Sequence, residues 1–167
     1  IILSLFFYLN SFAVSHHTKG TPRKTNDGPY IFKMNKKFKV MWVENNIFRE
    51  DAFNLDNFDK IKKSFNLSFN YNDLSDTYLQ KPDYNQSYTM VDSICVISDI
   101  HGEYGVYTNL LKGNGIIDDS LNWKFGKGHL VVLGDMFDRG DMVTEVLWHL
   151  FGLEKQATKA GGMVHVM

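Results

Sequence analysis

Two short runs of branched and apolar residues, Ser93–Ser98 and His129–Leu133, each lead into an aspartate: Asp99 directly, Asp135 after a single glycine, Gly134. The segment Tyr104–Lys112 has helical character and ends in the breaker cluster Gly113-Asn114-Gly115. Met142–Gln156 repeats apolar residues at helical spacing, and Met163–Met167 opens a third branched run after Gly161-Gly162. Strand, helix, strand, helix, strand is the order of an α/β fold with a parallel sheet joined by right-handed crossovers. In such sheets ligands bind outside the carboxyl ends of the strands. Asp99 and Asp135 both fall there, close enough along the chain for one crossover to bring them to the same crevice.

The residues around them suit metal-assisted phosphoester chemistry. Carboxylates and imidazole are ligands for divalent ions, and His101 stands two residues after Asp99. Two ions held about 3.5–4 Å apart need a bridging group, and a carboxylate on the second strand, Asp135, is suited to it. Asp99 and His101 would complete the set of the first ion. Arg139 suits a bidentate clamp on phosphate. Asp138 suits an outer role, holding a histidine in the tautomer needed to protonate a leaving group. Asp-x-His-Gly alone is a weak signal, whereas Gly-Asp-x-x-Asp-Arg-Gly behind an apolar strand is a strong one.

The rest of the chain bounds the reading. A formal net charge of -1 over 167 residues lacks the basic footprint of a nucleic-acid binder. The single cysteine, Cys95, lies inside a strand run and reads as a buried apolar spacer. Residues 1–15 open with the apolar run Ile1–Leu9 and reach small residues Ala13 and Ser15, as at a leader cleavage site; the expectation is a signal peptide remnant and a secreted or periplasmic protein with no stable membrane span. The competing reading is a buried first strand or helix. Residues 16–27 read as a linker, and 28–90 as a β-rich extension. In that extension Tyr30–Val43 predicts a β-hairpin, Asp56–Ser64 an amphipathic helix, and Tyr71–Tyr88 a loop. Phe48, Phe53, Phe58, Phe65 and Phe69 are expected to be packing residues. His129, His149 and His165 are expected to be structural or solvent-facing.

From Ser93 to Met167 the chain resembles the calcineurin-like metallophosphoesterase superfamily, in its phosphoprotein-phosphatase branch. The run Phe137–Trp148, with Leu153-Glu154 and Gly161-Gly162, looks most like the Shewanella-like and related bacterial phosphatases. The resemblance implies a sheet-sandwich core flanked by helices, of which 91–167 would be the first βαβαβ portion. It also implies a dinuclear centre of manganese, iron or zinc. Asp99 and His101 match its first motif, as metal ligands. The second motif falls on Asp135, the bridging ligand, on Asp138, which supports the catalytic histidine, and on Arg139, which binds phosphate. The superfamily's third motif, Gly-Asn-His-Glu, and its later histidine ligands are absent from these residues. The expectation is therefore an N-terminal portion of a longer enzyme, inactive and poorly folded by itself.

The leading functional expectation is a metal-dependent phosphatase acting on phosphoserine, phosphothreonine or phosphotyrosine in proteins, or on small phosphoesters. A dinucleoside-polyphosphate hydrolase of the same superfamily is the first alternative. A non-catalytic binding module is the second.

Overall fold

The structure is a computed structural model that describes residues 24–35, 37–77, 87–89 and 91–167. The expected leader at 1–15 and most of the expected linker lie outside these residues. Two three-stranded sheets organise the chain, one antiparallel and one parallel.

The antiparallel sheet is built from β1 (Asp27–Met34), β2 (Lys37–Glu44) and β3 (Ile47–Phe53) in that order. The first two strands form the hairpin expected from alternation, with Ile31 opposite Val40. The third strand was not expected. Its middle residues, Arg49, Glu50 and Asp51, are charged and exposed, so no apolar alternation marks it. The signal lies in the turn instead: Asn45 and Asn46 both have positive φ (51° and 67°), the backbone of a two-residue hairpin connection that asparagine tolerates. Ile31, Phe38, Val40 and Phe53 turn one face of this sheet inward. There they meet Phe58 and Ile61 of α1 (Phe58–Ser64), together with Leu67, Phe69 and Leu74. Leu74 belongs to α2 (Tyr71–Thr77), a helix standing where a loop was expected. Phe48 is exposed rather than packed, since it lies on the outer face of the sheet.

The parallel sheet consists of β4 (Ile94–Ser98), β5 (His129–Leu133) and β6 (Met163–Val166), in sequential order and in register. Its crossovers carry α3 (Tyr104–Gly113) and α4 (Val143–Ala160), the latter one turn longer than the periodicity predicts and closed by Gly161 at φ 79°. Ile97, Leu130, Val132 and Val164 face these helices and pack on Tyr107, Leu111, Val146, Leu150 and Leu153. Cys95 is half-buried against the same core, and burial pushes its thiol pKa up, as an inert spacer requires. The opposite face of the sheet exposes Ile94, Val96 and Leu133. Helix α4 joins the two cores: its Trp148 and Phe151 pack on Phe69. Among the described residues no helix is long and apolar enough to cross a membrane. The chain thus has the α/β architecture expected of it, behind an antiparallel β-rich region.

Candidate metal centre

Parallel pairing fixes the ends of β4 and β5 side by side, with Ser98 opposite Leu133. The chain leaves both strands in the left-handed region, with φ 56° at Asp99, 50° at His101, 56° at Gly134 and 45° at Asp135. Non-glycine residues rarely occupy that region, and such strain gathers at functional sites. Here it curls both loops toward one another: the His101 amide donates to the Asp135 carbonyl at 3.1 Å. One donor atom each from Asp99, His101 and Asp135 lies within 4.8 Å of the others.

The imidazole is set for coordination. His101 is 9 % exposed, and its Nδ1 lies 3.0 Å from the Phe137 carbonyl oxygen. A carbonyl only accepts, so Nδ1 carries the proton and Nε2 presents its lone pair, 3.8 Å from Asp99 Oδ1. A backbone carbonyl fixing one ring nitrogen while the other faces an ion is the usual outer support of a metal-bound histidine. Asp99 Oδ2 accepts from the Ser98 hydroxyl at 2.6 Å, which orients the carboxylate. Both carboxylates remain exposed to solvent. Two hard oxygen donors and one imidazole, oriented and open on one side, fit a divalent ion such as manganese, iron or zinc. Three donors leave coordination positions for other groups.

Asp138 and Arg139 stand on the loop between β5 and α4, at φ 79° and 59°. Asp138 does not join the three-donor group. Its Oδ1 accepts the Arg139 amide at 2.9 Å, and its Oδ2 stands 3.8 Å from Arg139 Nε. Both side chains are largely exposed. The loop is anchored to the first motif by Gly140, whose amide donates to the His101 carbonyl at 2.7 Å. A Cβ on Gly140 would stand 2.5 Å from backbone atoms of both His101 and Gly102, so only glycine permits this approach. Ser98 and the Phe137 carbonyl were missed from sequence. Nothing in their identity marks them, since a serine at a strand end and a backbone oxygen gain a role only from register.

The other histidines among the described residues stand apart. His149 is buried in α4; its Nε2 donates to the Leu121 carbonyl at 2.9 Å, and its Nδ1 accepts from the Tyr107 hydroxyl at 3.0 Å. Burial holds its pKa below the ordinary value and pushes that of Tyr107 up. His129 and His165 face each other across β5 and β6, Nδ1 to Nε2 at 3.0 Å.

Known proteins provide an independent comparison. No protein-family model matches the chain. Over 96 residues, 58 % of the chain, it is 30 % identical to Shewanella-like protein phosphatase 2 of Arabidopsis thaliana, of which it covers 22 %. A crystal structure of a point mutant of a cold-active protein tyrosine phosphatase matches with a TM-score of 0.67 at 35 % identity, over 85 % of this chain and 42 % of that one. The cold-active protein-tyrosine phosphatase of a psychrophilic Shewanella species matches with a TM-score of 0.60 at 30 % identity, again over 85 % and 42 %. The chain spans less than half the length of each of these proteins. In sequence and in backbone alike, it is similar to Shewanella-like and cold-active tyrosine phosphatases.

Proposed function

We propose that the chain carries the first part of a metal-dependent phosphoprotein phosphatase site. The observation that carries this reading is the meeting of Asp99, His101 and Asp135 donor atoms within 4.8 Å at the ends of adjacent parallel strands. Asp99 and His101 would hold one divalent ion, manganese, iron or zinc, and Asp135 would bridge it to a second. Bound ions supply Lewis acidity toward a phosphoryl oxygen and make water more acidic at neutral pH. The chain's own residues do the remaining work. The Phe137 carbonyl keeps the proton on Nδ1 of His101, so that Nε2 stays a ligand. Arg139, exposed on the loop that Gly140 bonds to the His101 carbonyl, would receive the phosphate dianion with its guanidinium. Asp138 orients Arg139 through its backbone amide; the resemblance also implies that it would support a leaving-group histidine, which these residues do not include.

The substrate is a phosphorylated protein, in keeping with relatives named as protein phosphatases. Manganese binding to the chain, followed by the loss of the free-ion electron paramagnetic resonance signal, tests the centre. Asp135→Asn is expected to weaken binding at least a hundredfold, and unchanged binding would reject the assignment. Phosphotyrosine and phosphoserine peptides offered to the native gene product separate the two substrate classes. Turnover is expected to depend on added manganese and to fall at least about a thousandfold in Asp135→Asn.

A further inference from the structure

We infer that Asp27, at the start of β1, is a positioning residue for the loop that carries Asp138 and Arg139; the inference rests on the phosphatase reading above. Asp27 lies far from that loop in sequence and makes no contact with the three metal-ligand candidates. Asp27 is exposed, and both of its carboxylate oxygens accept hydrogen bonds. Oδ1 accepts from the Thr144 hydroxyl at 3.1 Å and from the Gly28 amide at 2.8 Å, and Oδ2 accepts from the Tyr30 hydroxyl at 2.7 Å. Thr144 is the second residue of α4 and is only 8 % exposed. A carboxylate at the first turn of a helix also complements the positive end of its dipole.

The loop between β5 and α4 is therefore held at two points. At its middle, Gly140 is bonded to the His101 carbonyl, and Met142 donates to the Gly102 carbonyl at 3.2 Å. At its far end, Thr144 is tied to Asp27. Asp138 and Arg139 lie just upstream of these anchors with strained backbone, so their direction follows the position of the helix start. The Trp148 indole donates to the Pro29 carbonyl at 2.7 Å and holds β1 against the helix independently, which keeps the two regions joined when the Asp27 bond is removed. The antiparallel sheet thereby becomes part of the phosphate-binding apparatus. Misplacement of about 1 Å at such a group costs up to a hundredfold.

The test measures inorganic phosphate binding to the manganese-loaded native gene product by calorimetry, with manganese affinity and thermal midpoint read in parallel. Asp27→Ala and Thr144→Val are each expected to weaken phosphate binding about tenfold and manganese binding less than twofold. Thr144→Ser, which keeps the hydroxyl, is expected to restore phosphate affinity. The double variant is expected to be no worse than Asp27→Ala, because that substitution already removes the bond that Thr144→Val removes. Should Asp27→Ala fail to fold, Thr144→Val against Thr144→Ser decides alone. Unchanged phosphate affinity in folded variants overturns the inference, as does a loss that Thr144→Ser fails to repair. A chain that binds manganese but no phosphate overturns it too, by removing the role of Arg139. A chain that binds no manganese rejects the metal centre itself, and is thus a separate failure.

Discussion

Five of the residues that build the centre, Asp99, His101, Asp135, Asp138 and Arg139, hold positive φ without being glycine. Each such residue costs about 1–2 kcal/mol in local strain, which closer loop-to-loop approach and hydrogen bonding offset. The sign of that strain is measurable. Asp138→Gly is expected to raise unfolding stability by up to about 1 kcal/mol in denaturant titration, while phosphate affinity falls. Gly140→Ala works in the opposite direction. Its methyl group meets rigid backbone at 2.5 Å, so the variant is expected to lose about 2–3 kcal/mol and most of its metal affinity. His149 supplies the pH dependence. Burial lowers its folded pKa below the ordinary value of 6.5, so the unfolded chain takes up a proton first as pH falls. Stability present above about pH 6.5 is therefore lost on acidification toward the lowered value. Denaturation midpoints at about pH 7.5 and 5.5 are expected to differ less in His149→Gln than in the parent chain.

The elements that were readable in the sequence are those whose side chains alone decide their state. Strand β5 was bounded correctly at both ends because Leu130 and Val132 turn inward beneath a helix while a glycine follows the strand. Helices α3 and α4 carry one apolar stripe each and sit where their periodicity placed them. What escaped was set by partners. Strand β3 pairs with β2 through backbone bonds, and its charged residues find water on both faces. The register brought Asp99, His101 and Asp135 together as the strand order implied. The tie from Asp27 to Thr144 spans 117 residues of chain and has no local mark. Helix α4 also gives a prediction of its own. Trp148→Phe keeps the ring packing on Phe69 but removes the bond to Pro29, and is expected to cost about 1 kcal/mol in unfolding free energy. Trp148→Ala removes both and is expected to cost about 3 kcal/mol.

Over the whole molecule, two hydrophobic cores meet along one helix, so the antiparallel region and the parallel sheet share their fate on unfolding. The expected outcome is coincident loss of helical signal and of tryptophan fluorescence, because Trp42 and Trp148 belong to one core and Trp123 to the other. Among the described residues the parallel sheet is clothed by α3 and α4 on one side, and parallel sheets are ordinarily covered on both. Its other side presents Ile94 at 63 %, Val96 at 55 % and Leu133 at 47 % exposure. Greasy flanks of this kind adsorb dyes, detergents and each other. Light scattering from the chain should climb with protein concentration, and Val96→Lys should quiet it while leaving the melting curve in place.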